Sequence, residues 1–308
     1  MRRIAVIGAG QFGQHHCRVV RQSERAELAA VVDIDPARAP VADYRALDGQ
    51  VDAAIVATPT SAHAEIGCWL LEHGIDVLVE KPIAGDLESA RRLVDTAERG
   101  GRVLQVGHLE RFNPAVMALE SHTTLPLFFE IHRLSVFSPR SLDVDVILDL
   151  MIHDIDIILS LTRAEPGEIR AAGISILSPK VDIANVRLQF ENGCVANLTA
   201  SRVSTERVRK LRLFQPREYV SLDYARQEAL VFSVGGDRQV SCKPLQVAKG
   251  EPLQLQFDAF LDSLESRNAP KTSGRAARQT LGVALAILDK IKEHAEIVSR
   301  SLAGGWKP

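Results

Sequence analysis

Three short segments hold most of the residues whose types and spacing could do chemistry. The first is Gly8-Ala-Gly-Gln-Phe-Gly13, which fits G-x-G-x-x-G. Glycines also make ordinary turns, so the hexapeptide alone is weak. Its context gives it meaning: an apolar strand pattern precedes it, a helical pattern follows, and Asp33 lies 20 residues after Gly13. Gly8 then allows the tight turn, Gly10 lets backbone approach a pyrophosphate, and Gly13 lets helix pack on strand. Gln11 and Phe12 complete the loop, where the helix N-terminus offers unpaired N–H groups to phosphate. The Asp33 carboxylate suits the adenosine ribose and repels a 2′-phosphate, so NAD is the expected cofactor. Asp35 is a rival for the ribose, although Asp35-Pro36 reads more simply as a turn starter.

The second segment is Glu80-Lys81-Pro82 and the third runs from Asp145 to Leu159. Lys81 follows an apolar run, and ligands of open α/β sheets bind at the C-terminal ends of strands. A surface lysine is the plain alternative. In the third segment Asp149 and His153 stand at i and i+4, so on a helix they share a face, which Asp145 and Asp156 extend. The remaining residues are nearly all Ile, Leu, Val and Met, so the helix must be largely buried. Ionisable groups there need partners. An acid beside a histidine is the usual arrangement for moving a proton. The structural alternative is a polar network tying the helix to a sheet. Asp149 and His153 supply only two ligands to a metal, and no third is evident, so no metal is expected.

The elements that must carry these residues follow from hydrophobic periodicity. Strands are predicted at Ile4–Ile7, Ala29–Asp33, Ala53–Thr58, Val77–Glu80 and Val103–Val106, with helices at Gln11–Gln22, Ser61–His73 (Ser61 as N-cap) and Leu87–Arg99. Alternating strands and helices with short loops indicate a doubly wound parallel sheet. After about residue 120 the character changes. A strand at Phe128–Phe137 and an apolar helix at Val146–Leu161 lead into strand after strand from Ile169 to Val240, with the alternation of a half-exposed antiparallel sheet. Two helices close the chain, around Leu253–Ser266 and Gly274–Ser299. The fold class is α/β, with a cofactor domain over 1–120 and a substrate and assembly domain over 121–308.

Composition bounds the function. The 308 residues are 46% hydrophobic and 25% charged with net charge −2, which argues against a nucleic-acid binder. No apolar run approaches the roughly 20 residues that span a bilayer. Cys17, Cys68, Cys194 and Cys242 form no CxxC pair. A cytoplasmic protein with reduced thiols is expected.

In order and spacing these segments resemble the Gfo/Idh/MocA family over essentially the whole chain. The likeness rests on the Gly8–Gly13 loop, Asp33, Ala57-Thr58-Pro59 with His63, Glu80-Lys81-Pro82, and Asp149-x-x-x-His153-Asp154. It implies an N-terminal Rossmann domain and a C-terminal α+β domain with a large, mostly antiparallel sheet. Carried over, Lys81, Asp149 and His153 are the catalytic group, and Thr58, Pro59, His63, Glu80 and Lys81 join the glycine loop and Asp33 at the cofactor. Gly107-His-Leu-Glu-Arg-Phe-Asn-Pro114 resembles the branch acting on sugar nucleotides, which oxidises the 3-hydroxyl of UDP-N-acetylhexosamines. The 3-keto product would feed a transaminase on the way to a 3-amino sugar of lipid A.

Arg111, Asn113 and Arg140 are then candidates for phosphate or sugar contacts beside Lys81, Asp149 and His153. Asn113-Pro114 also reads as a helix cap with proline at N1. Either Lys81 or His153 could be the base. Dehydrogenation of inositol or a free sugar, and a non-catalytic NAD sensor, are the competing readings. A homodimer or homotetramer through the C-terminal sheet is expected. One departure is the short Pro36–Gln50 segment, where a helix must be shortened or lost.

Overall fold

The computed structural model describes residues 1–137, 144–236 and 238–303. The chain divides into two compact units, Met1–Phe112 with Gly250–Leu281, and Asn113–Lys249 with Gly282–Pro308. The first carries a five-stranded parallel sheet in the order β2-β1-β3-β4-β5. Its strands are β1 (Arg2–Ile7), β2 (Ala26–Val32), β3 (Ala53–Val56), β4 (Asp76–Glu80) and β5 (Leu104–Gly107). Val, Ile, Leu and Ala fill them because helices cover both faces. These helices include α1 (Gln11–Gln22), α2 (Thr60–Glu72) and α3 (Leu87–Arg99). The strand order reverses between β1 and β3, so the cleft for a ligand opens at the ends of those two strands.

Local differences from the sequence reading have simple causes. α2 starts one residue early, at Thr60, because Pro59 at φ −57° already sets the turn, and Ser61 lies inside the first turn. The short Pro36–Gln50 segment holds a single 3-10 turn, Tyr44–Leu47, capped by Asp43 accepting from the Arg45 N–H. The boundary also differs. It falls at 112/113, and α6 (Pro252–Ser266) returns to the first unit. Leu253, Phe257, Phe260, Leu261 and Leu264 of α6 join Ile4, Val6, Ile55 and Leu78 in one core. A helix's apolar stripe shows that it covers a sheet; it does not show which one.

The second unit is built on an eight-stranded sheet in the order β13-β12-β11-β10-β6-β9-β8-β7. The strands are β6 (Phe128–Val136), β7 (Pro166–Ile174), β8 (Ile183–Phe190), β9 (Val195–Ser204), β10 (Val208–Gln215), β11 (Glu218–Asp223), β12 (Glu228–Val234) and β13 (Val240–Pro244). Only β6 and β9 pair in parallel; every other neighbouring pair is antiparallel. Along β8 buried and exposed residues alternate, as a sheet with one covered face requires. The covered face packs on α4 (Pro114–His122), α5 (Ile152–Thr162) and the later part of α7 (Gly274–Ala303).

Candidate functional site

In the first unit the glycine loop has the geometry for the three tasks its spacing suggests. Gly8 sits at φ +92°, and a Cβ there would stand 2.7 Å from the Ala57 carbonyl carbon at the end of β3. A Cβ on Gly13 would stand 1.8 Å from the Gly8 carbonyl oxygen, so helix meets strand only through glycine. Gly10 differs: its Cβ position is open for 4 Å, which leaves backbone that phosphate can approach. Among the described residues no side chain caps the N-terminus of α1, and its first turn carries no acid. These N–H groups open on a cavity of about 720 Å³ lined by Gly8, Gly10, Gln11, Phe12, Asp33, Thr58 and Pro59, among others. Thr58 Oγ1 is buried with no hydrogen-bond partner among the described residues. The residues fit a dinucleotide with its pyrophosphate at Gly10.

Asp33 is buried at the end of β2, and its carboxylate accepts from the Ala9 N–H at 2.7 Å and the Asp35 N–H at 2.9 Å. It therefore ties the glycine loop to the following turn, while each oxygen retains a second lone pair for a ribose. Asp35 behaves as a turn starter, accepting from the Ala37 N–H and pairing with Arg38. Ile34, Arg38, Tyr44 and Arg45 line the same cavity. The sequence reading passes over them, because nothing local shows that the short 36–50 segment folds back to this rim. Ile34 is 91% exposed, an apolar side chain at the mouth of a cavity.

His63 and Glu80 turn away from that cavity. The buried His63 ring lies between two carbonyls, Nδ1 3.0 Å from Pro82 O and Nε2 2.9 Å from Thr58 O. It braces the loop after β3 against the loop after β4. Burial holds its imidazole below the ordinary value, against the opposing pull of both carbonyls and Glu80. Glu80 meets His16 of α1 at 2.8 Å. Lys81, half-buried, follows β4, and its bond to Pro82 is cis. Arg111 is buried on a 3-10 turn, Leu109–Phe112.

In the second unit the predicted helix is not regular. Ile147–Met151 forms a π-helical turn, and α5 continues from Ile152. Asp149 sits in the π turn and His153 in the first turn of α5, both half-buried. Wide turns of this kind concentrate at functional sites. Two other acids of the segment, Asp154 and Asp145, hold the structure together. Asp154 is fully buried and accepts from Arg133 Nε at 2.8 Å and Nη2 at 2.7 Å. The Tyr224 hydroxyl adds a third bond at 3.2 Å, and the Arg133 guanidinium lies 4.8 Å from the Tyr224 ring centre. Asp145 accepts from the Val181 N–H. Asn113 caps α4 by accepting from the Ala115 N–H, and its amide donates to Tyr224 O. Arg133 and Tyr224 escape the sequence reading. A buried Asp154 demands a cation, but nothing in its neighbourhood along the chain says which. Arg140 lies outside the described residues.

Among the described residues no group of three His, Cys, Asp or Glu could hold a metal, and no helix is long and apolar enough to cross a membrane. Residues 2–108 match the Gfo/Idh/MocA profile described as an oxidoreductase family with an NAD-binding Rossmann fold, and 117–216 match its C-terminal domain. Over 301 residues the chain is 35% identical to UDP-N-acetylglucosamine 3-dehydrogenase of Acidithiobacillus ferrooxidans, covering 92% of this chain and 96% of that protein. The chain belongs to the Gfo/Idh/MocA oxidoreductase family. A solved structure of the Acidithiobacillus enzyme superposes with a TM-score of 0.90 at 34% identity, covering 95% of this chain and 98% of that one. Inositol 2-dehydrogenase of an Arthrobacter species is 32% identical over 64% of this chain and 66% of its own length. As a Gfo/Idh/MocA member the protein is an NAD-dependent oxidoreductase, with the glycine loop in its NAD-binding domain.

Proposed function

We propose that this enzyme oxidises the 3-hydroxyl of UDP-N-acetylglucosamine to the 3-keto sugar nucleotide. The observation that carries this is the near full-length likeness to the Acidithiobacillus dehydrogenase, at 96% of that protein's length. NAD, when bound, supplies the hydride acceptor. On the first unit the Gly8–Gly13 loop holds pyrophosphate, Asp33 the ribose, and Thr58 and Pro59 line the floor of the cavity. Lys81 donates a hydrogen bond to the substrate oxygen as it becomes an alkoxide, and its charge favours deprotonation. On the second unit His153 takes the hydroxyl proton at a ring nitrogen, and Asp149 orients the ring and stabilises its charged form. Lys81 is the rival base. Arg111 and Arg140 are assigned to the substrate's phosphates. Asn113 supports that side by fixing the start of α4, rather than by a free amide. A 3-keto product suits a transaminase making a 3-amino sugar, as for lipid A.

The inositol 2-dehydrogenase relative favours a second reading, oxidation of inositol or a free sugar. The two are separated by following NAD reduction with UDP-N-acetylglucosamine and with myo-inositol. We expect turnover with the nucleotide sugar and a kcat/KM at least a hundredfold lower for inositol; the reverse order overturns the assignment. Lys81→Met and His153→Asn should each lower kcat by a hundredfold or more. Near wild-type turnover in both would remove these residues from the chemistry, whereas no NAD reduction by the wild type with either substrate would favour a sensor.

A further inference from the structure

Glu80 stands immediately before Lys81, yet its carboxylate is gripped on two sides away from the NAD cavity. Oε1 lies 2.8 Å from His16 Nε2, and the His16 side chain is 1% exposed. A carboxylate only accepts, so Nε2 carries the proton and donates; Nδ1 is buried with no hydrogen-bond partner among the described residues. On the other side lies Gly107, the register partner of Glu80 on β5. A Cβ on Gly107 would stand 2.6 Å from Glu80 Cδ and from both its oxygens, so this glycine leaves room for the carboxylate. The His16 ring in turn packs nearly perpendicular to the Phe12 ring, with centroids 5.3 Å apart and planes at 80°. Phe12 belongs to the glycine loop and lines the NAD cavity. A continuous row of packed groups thus runs from the pyrophosphate loop through Phe12, His16 and Glu80 to the residue that precedes Lys81.

We infer that His16 and Glu80 are a positioning pair, which holds Lys81 in register with the helix that carries the NAD loop. The inference rests on Lys81 acting in the chemistry, as proposed above. Glu80 itself faces His16 and Gly107 and is not a catalytic residue. Glu80 is the last residue of β4, so fixing its side chain on the α1 side fixes the backbone from which Lys81 departs. Without the grip, the end of β4 gains freedom, and small misplacements of a reacting group cost large factors in rate.

Glu80→Ala and Gly107→Ala test this by different routes. The first removes the carboxylate, and the second pushes it off His16 while leaving both partners present. The dissociation constant for NADH, read from fluorescence titration, should stay within threefold of wild type in both. The KM for the nucleotide sugar should also stay within threefold, while kcat falls tenfold or more. Glu80→Gln keeps an acceptor for His16 and should recover at least a third of the wild-type kcat. In the Glu80→Ala background, Lys81→Met should cost much less than it costs alone, because Lys81 is already misplaced. Wild-type kcat in Glu80→Ala overturns the inference. So does a loss of activity that tracks the fall in folded protein and in NADH binding, which marks a merely structural pair. Effects of Glu80→Ala and Lys81→Met that multiply independently overturn it too. If Lys81→Met alone leaves kcat unchanged, the chemical role of Lys81 has failed, and the positioning role falls as its consequence.

Discussion

Asp33 braces the glycine loop from the rim of the cavity whose ribose site we assign to it. Its carboxylate already accepts two backbone N–H groups, from Ala9 and Asp35. Leaving a buried donor unsatisfied costs about 1–3 kcal/mol. We therefore expect Asp33→Ala to weaken NADH binding at least tenfold without creating strong NADPH binding, measured by fluorescence titration of both dinucleotides. A clean switch to NADPH would show that Asp33 selects the cofactor without bracing the loop. His63 carries a pH dependence. Burial lowers its pKa, so below the ordinary value of about 6.5 the unfolded chain binds more protons there than the folded one. Its contribution to stability is present above about pH 6.5 and is lost as pH falls. The thermal midpoint should drop between about pH 7 and 5, and less steeply in His63→Asn; equal slopes would exclude His63 as the source.

At the scale of elements, the decisive one is the apolar segment from Val146 to Thr162. Its character as a buried helix with an acidic side is legible in sequence, because Ile, Leu and Met surround Asp149, His153, Asp154 and Asp156. The π turn at Ile147–Met151 is not legible, since no residue type there demands a widened turn. Nor is the division of labour among the acids. Asp154 anchors α5 to β6 through Arg133, whereas Asp149 is the acid the proposed chemistry uses. Removing one partner of a buried ion pair typically costs about 3–5 kcal/mol. Asp154→Asn should therefore lower stability by about that amount in chemical denaturation. Arg133→Met combined with Asp154→Leu should recover part of the loss, because a buried pair contributes little beyond its apolar replacement. No recovery would mean that the shape of this network, and not its charge balance, sets the stability.

At the scale of the molecule, the second unit packs its helices on one face of the eight-stranded sheet, and along β8 and β10 the residues of the other face are exposed or half-buried. Phe128, Phe214, Tyr219 and Phe232 line up across four strands with ring centroids 4.8–5.7 Å apart, and the Glu130–Arg212 pair runs beside them. All four rings are half-buried. We propose that this face carries the homodimer or homotetramer contact, since a stable interface has an aromatic core. Light scattering should give a multiple of the 33.7 kDa chain mass, and Tyr219→Arg should shift it to monomer while leaving the circular dichroism spectrum unchanged. An unaltered assembly in that variant would place the contact elsewhere.

The sequence by itself determined the elements and the dinucleotide loop, because these depend on short-range rules. Glycine spacing sets a turn, an apolar run sets a strand, and a period of 3.6 sets a helix face. It also determined the family, because Gly8–Gly13, Glu80-Lys81-Pro82 and Asp149-x-x-x-His153 keep their order along the chain. Only the tertiary structure decided the partners of the buried polar groups. Glu80 finds His16 and Gly107, His63 finds two loop carbonyls, and Asp154 finds Arg133 and Tyr224. It likewise returned α6 to the first unit. Except for the His63–Thr58 contact, five residues apart, these pairings join residues far apart in sequence. A buried charge or apolar stripe dictates that a partner must exist, and packing alone selects which one it is.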